Sequence, residues 1–299
     1  MKPLALTVLV HEGPMARAYL GVLQAAGYRV ERIVLMVGRR DPANGRLIAP
    51  WLPTWFRHPL ARLVQDLRMN HWPRELLRRH AGMCHPWIET LARRWSLDAS
   101  VYDCLTERAN YIRYTDQVDE VFVDGLADAV LEKHLRGLPG RQVVLFTGGG
   151  MVPTNLLNIP QCRFIHVHPG VLPNVRGADG LLWSALLRGR PGATAFYMSP
   201  GLDTGDIILS SDLDIPPMPK DFTVLDTATA YRLLYAFVDP LLRAVMLRRV
   251  VENSSGDLFA LPAVAQSSDR GATFHFMHER MRRFAFERLS ALSAAPDEV

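Results

Sequence analysis

Apolar positions along the chain fall into short blocks of two kinds. Residues 4–10 and 30–37 are runs of strand type, and between them Tyr19, Leu20, Leu23 and Ala26 recur at helical spacing after Pro14. Gly27 closes that helix. Strand, helix, strand in this order is a βαβ unit, which predicts a parallel sheet with a right-handed crossover. Residues 117–122 and 142–146 read as further strands, with a helix near 128–135 between them. Residues 163–168 form a short apolar run that stops at Pro169-Gly170, a pair that ends a strand and opens a loop. A helix over 183–187, a turn at 189–192 and a strand over 193–198 lead to the loop Gly201-Leu202-Asp203-Thr204-Gly205-Asp206 and a last apolar run, Ile207-Ile208-Leu209. Asp214-Ile215-Pro216-Pro217 fits neither helix nor central strand. Leu233, Leu234, Phe237, Leu241, Leu242 and Val245 mark a long amphipathic helix over 227–251. The fold class that follows is α/β, built on a mostly parallel sheet.

Two stretches break this alternation. Residues from about 40 to 115 hold five of the six tryptophans (Trp51, Trp55, Trp72, Trp87 and Trp95) and many arginines, with helical spacing over 60–68 and 87–95. A helical insertion is expected there. It reads as an acceptor-binding cap or oligomer surface, because Trp and Arg favour interfaces. It also reads as a packing layer with solvated arginines, because aromatic residues mostly serve cores. The first reading leaves a homodimer open. Residues 252–299 form a C-terminal extension with Phe274-His275-Phe276-Met277-His278 and a final basic helix, which makes 1–251 the main domain.

Composition narrows the class without fixing it. At 48% hydrophobic and 21% charged residues, the 299-residue chain is ordinary for a soluble globular protein. A net charge of +4 helps attract an anionic substrate but is too weak to argue for nucleic acid. Cys84, Cys104 and Cys162 are odd in number and far apart, so neither a disulfide framework nor a metal knuckle is expected. Three reduced thiols fit a cytoplasmic protein. No run reaches the ~18 apolar residues of a membrane span, and the first residues read as a strand, not a signal peptide.

Candidate chemistry collects in the loops. Side chains alternate along a strand, so His166 and His168 point one way and Val167 the other. Two imidazoles side by side at a strand's end are costly to bury without a purpose, although both can be structurally satisfied histidines. Asp203, in the next polar loop, supplies a carboxylate. His-x-His plus a carboxylate is also a plausible zinc set, which keeps a metal-dependent hydrolase open. Arg176 suits a phosphate or carboxylate on an acceptor, or is a surface arginine. Gly148, Gly149 and Gly150 permit close backbone approach, and ligands of open α/β sheets sit at the carboxyl ends of strands. The loop at 11–15 lacks G-x-G-x-x-G, so a dinucleotide fingerprint is absent.

The pattern HPGVLPNVRG, then G-A-T, then LDTGDII resembles the active-site signature of the formyltransferases that use 10-formyltetrahydrofolate. That family includes glycinamide ribonucleotide, methionyl-tRNA and nucleotide-sugar formyltransferases and the formyltetrahydrofolate hydrolases. The resemblance covers about 4–40 and 115–250. It implies a Rossmann-like sheet with the insertion and the short extension added to it, and 10-formyltetrahydrofolate as co-substrate. It puts the family's catalytic histidine on His168 and its catalytic aspartate on Asp203. The catalytic asparagine falls on His166, and the histidine usual after G-x-T-x falls on Phe196. It further implies that Gly148, Gly149, Gly150, Met151 and Val152, with Gly201 and Leu202, line the folate. Glu12 and Gly13 then lie near the acceptor, with Arg176 and Gly177. The expected reaction is formyl transfer to the amine of a small molecule, with His168 and Asp203 assisting proton transfer and oxyanion stabilisation, His166 donating a hydrogen bond in place of the family's asparagine, and no metal. Folate hydrolysis and a binding protein that has lost catalysis are the alternatives. The tail is short for the separate C-terminal barrel of tRNA formyltransferases, which counts against an initiator-tRNA acceptor.

Overall fold

A computed structural model describes residues 1–98, 100–215, 218–219, 222, 225–254, 256–267 and 271–292. The strand runs become β1 (Lys2–His11), β2 (Tyr28–Gly38), β3 (Val118–Val123), β4 (Gln142–Phe146) and β5 (Cys162–His168), followed by β6 (Val175–Gly177), β7 (Gly192–Tyr197), β8 (Ile207–Asp212) and β9 (Ala272–Phe274). Seven of them form one sheet in the order β3-β2-β1-β4-β5-β7-β8. β3 through β5 are parallel, as the βαβ reading requires. β7 and β8 are antiparallel to their neighbours. β6 and β9 pair with each other outside the sheet.

Both sheet faces are covered, which is why the central strands are apolar on both sides. One face packs on α1 (Pro14–Ala25) and α9 (Asp239–Asn253), the other on α5 (Ala129–Arg136) and α6 (Thr154–Leu157). The single helix expected over 227–251 is instead α8 (Thr227–Leu233), a π-type turn at Leu234–Val238, and α9. Pro240 lacks the N–H that an unbroken helix needs, and the widened turn before it absorbs the break. Pro216 and Pro217 lie outside the described residues.

The insertion is α2 (Thr54–Met69), α3 (His71–Arg94) and α4 (Ser100–Thr106). Its tryptophans divide between roles. Trp87 and Trp95 are buried in the same core as β1 and α1, while Trp51 and Trp55 are 80% and 69% exposed. The insertion is thus a packing layer on one side and an open aromatic surface on the other. Downstream, α7 (Gly180–Arg188) lies between β6 and β7 in the chain, and α10 (Glu279–Leu292) packs on α7 and α8. None of the described helices is long and apolar enough to cross a membrane. All three cysteines are free.

Candidate active site

β5 delivers the histidine pair. Phe164, His166 and His168 take one face of the strand, and Ile165 and Val167 take the other. Both imidazoles are buried. His166 Nδ1 lies 3.0 Å from the Phe146 carbonyl oxygen. A carbonyl only accepts, so Nδ1 carries the proton and the neutral ring keeps a lone pair on Nε2. His168 Nε2 lies 2.9 Å from the Val175 carbonyl oxygen, which places its proton on Nε2 by the same argument. Its Nδ1 stands 3.5 Å from Asp203 Oδ2, beyond an ordinary hydrogen bond.

Burial pushes the His166 imidazole down to about 4, and the charge of Arg243 adds to that. Burial also lowers His168, with the Asp203 carboxylate pulling the other way. Burial wins in both, so both rings are neutral near pH 7. A proton arriving on His168 Nδ1 would give each of its N–H groups an acceptor. Two glycines hold this ring tightly: a Cβ on Gly170 or Gly180 would stand 2.7 or 2.9 Å from Nε2.

Asp203 reaches the pair by an indirect route. Its loop joins two antiparallel strands, so it starts beside the early part of β5, where Met198 N–H donates to the Phe164 carbonyl at 2.9 Å. It then folds back along the sheet. The loop does follow the carboxyl end of its own strand, β7, but that strand runs against β5, which the sequence pattern did not show. The fold-back needs a sharp turn. Asp203 is left-handed (φ +54°), which aspartate tolerates better than most residues, and a Cβ on Gly205 would overlap the Tyr197 carbonyl. The Gly177 N–H donates to Asp203 Oδ2 at 2.8 Å.

The other expected residues are spread more widely. Gly148 to Val152 begin two residues after Phe146, whose carbonyl holds His166. Gly149 and Gly150 face open space where a Cβ would stand, and Met151 is 64% exposed. Gly201 and Leu202 ride on the Asp203 loop, and Leu202 is also an exposed apolar residue. Glu12 is buried beyond β1. Its Oε1 accepts from Gly13 N, Arg17 Nε and Asn70 Nδ2 at 3.1, 2.9 and 3.0 Å, and its Oε2 accepts from Tyr111. With Asp66, Tyr111, Arg62 and Arg108 it lines a cavity of about 340 Å³. Arg176 is held by the C-terminal extension: its Nη2 donates to Gln266 Oε1 at 3.2 Å and to the Ser267 carbonyl at 3.4 Å. Among the described residues no three His, Cys, Asp or Glu side chains gather as a metal shell, so the zinc reading is not favoured.

Several groups around the pair carry no motif. Arg243 Nη1 donates to the Val167 carbonyl at 3.2 Å, and its Nη2 pairs with Asp239 Oδ2 at 3.0 Å. An Asp–Arg pair four residues apart inside an apolar helical stripe was a readable signal for this buried ion pair. Asp179 Oδ1 accepts from Tyr231 and Tyr235, each at 2.7 Å, and its Oδ2 accepts from Met277 N–H at 2.7 Å. Nothing local in the sequence announces that junction.

Comparison with known proteins places these residues in context. A family model described as "Formyl transferase" matches residues 124–230, a stretch that contains His166, His168 and Asp203. The methionyl-tRNA formyltransferase of Syntrophus aciditrophicus (strain SB) is 38% identical over 125 residues, 41% of this chain and 38% of that enzyme. The methionyl-tRNA formyltransferase of Solibacter usitatus (strain Ellin6076) is 38% identical over 85 residues, 28% of this chain and 27% of that one. The chain thus spans well under half the length of these relatives. Among solved structures, a 4-N formyltransferase from Francisella tularensis superposes with a TM-score of 0.44 at 12% identity, over 92% of this chain and 76% of that one. That overlay is too loose to bear on function.

Proposed function

Residues 124–230 belong to the formyl transferase family, and from that premise we propose that the chain moves a formyl group from 10-formyltetrahydrofolate to the amine of a small-molecule acceptor. The observation that carries the reading is the meeting of His166 and His168, from β5, with Asp203, from the loop after β7, inside the matched stretch. The surface beside them suits the co-substrate: Gly149 and Gly150 leave room, and Met151 and Leu202 offer apolar cover for a planar ligand. Bound there, 10-formyltetrahydrofolate supplies the activated formyl carbon.

The residues then divide the proton work. An amine that attacks the formyl carbon becomes an ammonium, far more acidic than the neutral amine, and must lose a proton. His166 is neutral, and Nε2 is its one uncommitted nitrogen, so it takes that proton. The imidazolium that forms carries an N–H on Nε2, a donor for the oxyanion at the formyl carbon. Oxyanion donors contribute about 3–4 kcal/mol in other enzymes. His166 can return the proton to the leaving nitrogen as the C–N bond breaks. His168 has both nitrogens turned to protein groups, so its part is to stabilise positive charge beside the site together with Asp203. The acceptor occupies the Glu12 cavity, where Arg62 and Arg108 favour an anionic group.

Calorimetric titration with 5-formyltetrahydrofolate, a stable analogue of the co-substrate, tests the folate assignment. Saturable binding that weakens when Met151→Asp or Leu202→Asp is introduced is the expected result. No binding to the wild-type chain would overturn it.

A further inference from the structure

The C-terminal extension enters the site through one side chain. Gln266 Nε2 donates to the backbone carbonyls of Asp203 at 3.0 Å and Gly205 at 2.6 Å. One amide thus grips both ends of the turn in which Asp203 is left-handed. On its other side, Gln266 Oε1 accepts from Arg176 of β6. The residues flanking Arg176 are the two that define the site: Val175 O accepts from His168, and Gly177 N–H donates to Asp203. β6 is itself fixed by the extension. It pairs in parallel with β9, and the Ala178 N–H donates to the Phe274 carbonyl at 2.9 Å. Val264, two residues before Gln266, exchanges two 2.8 Å backbone bonds with Ile207 at the start of β8.

We infer that Gln266 is a positioning residue, which clamps the Asp203 turn to β6 so that the carboxylate stays beside His168. A glutamine amide suits this place because two carbonyls on one side need donors, while a guanidinium on the other needs an acceptor. Neither a carboxylate nor an apolar group can satisfy both. The residue touches no reacting atom. It rests on the reading of His168 and Asp203 as a reaction centre, and its effect runs through Asp203.

Gln266→Glu and Gln266→Ala, made in the full chain, test this. Glu keeps the size and the contact to Arg176 but puts oxygens against two carbonyls; Ala removes the clamp. The first readout is the titration midpoint of the His168 imidazole by NMR. The groups facing that ring are Asp203, Arg243 and His166. Asp203 is the charged group that raises the midpoint, alongside the Val175 carbonyl, so loosening Asp203 lowers the midpoint in the direction that Asp203→Asn does. The second readout is turnover: kcat falls by about 10- to 100-fold, since misplacement of a reacting group by ~1 Å costs on that order, while KM for the folate moves less than about threefold. An unchanged His168 midpoint in both folded variants, or a loss confined to KM, would overturn the inference. The NMR readout does not need catalysis. If the wild-type chain failed to transfer formyl at all, the functional reading would fall, and the clamp would still be decided by the midpoint.

Discussion

The Nδ1 of His168 stands 3.5 Å from Oδ2 of Asp203, while the opposite nitrogen of the same ring donates to the Val175 carbonyl. That geometry gives His168 two acceptors and no nitrogen left for substrate. Its value lies in the charged state, where both N–H groups are answered. His166 has the reverse character: one nitrogen tied to Phe146, one uncommitted. The two rings thus differ in hydrogen bonding although they share one strand face.

His168→Ala and Asp203→Asn should each reduce formyl transfer by roughly 10²- to 10³-fold, the range for one lost electrostatic contact to developing charge. Circular dichroism and thermal melting should show an intact fold. Full turnover in both variants would remove these residues from the reaction.

His166→Asn restores the amide of the family pattern and removes the base. If His166 takes the amine proton, kcat falls by roughly 10²-fold. An unchanged rate would reassign that step. Stability gives a second reading. The folded-state value near 4 lies below the ordinary 6.5, so the unfolded chain binds the proton first as pH drops. Stability is full above about pH 6.5 and is lost as pH falls toward 4, on the order of 3 kcal/mol for a shift of this size. Melting temperature against pH should show that acid loss shrink in His166→Asn.

Arg243→Met strands Asp239 as an unpaired buried carboxylate beneath the strand that carries the histidines. A loss of about 3–5 kcal/mol is expected in urea denaturation. The double variant Asp239→Leu with Arg243→Met should recover most of it, since no lone charge remains. The His166 midpoint should rise once the guanidinium is gone.

Arg108→Ala should raise KM for an anionic acceptor about tenfold, the scale of one charge-assisted contact, and leave folate binding unchanged. Equal loss for both ligands would move the acceptor out of the Glu12 cavity.

The parts of this site that were legible in the sequence are the parts with local signals. The apolar run ending in Pro169-Gly170 exposes His166 and His168 as a pair on one strand face, and the βαβ order fixes the parallel half of the sheet. Asp203 was found through the family pattern. Its route was not, because a period of two looks the same in a parallel and an antiparallel strand, so the reversal at β7 is silent. Gln266 was illegible for another reason. It acts on carbonyls 61 and 63 residues away, from a tail with no apolar period, and its pairing partners are strands of three residues. Arg176 was read as a substrate contact because its chemistry fits an anion. In the fold its guanidinium serves that same tail.

The direct test is transfer itself. The wild-type chain is incubated with 10-formyltetrahydrofolate labelled at the formyl carbon and a panel of anionic small-molecule amines, and the label is followed by mass spectrometry. Label should appear as a formamide on one acceptor class and be abolished in Asp203→Asn. Co-substrate left unconsumed with every amine, or label transferred equally by Asp203→Asn, would contradict formyl transfer at the His166, His168 and Asp203 centre.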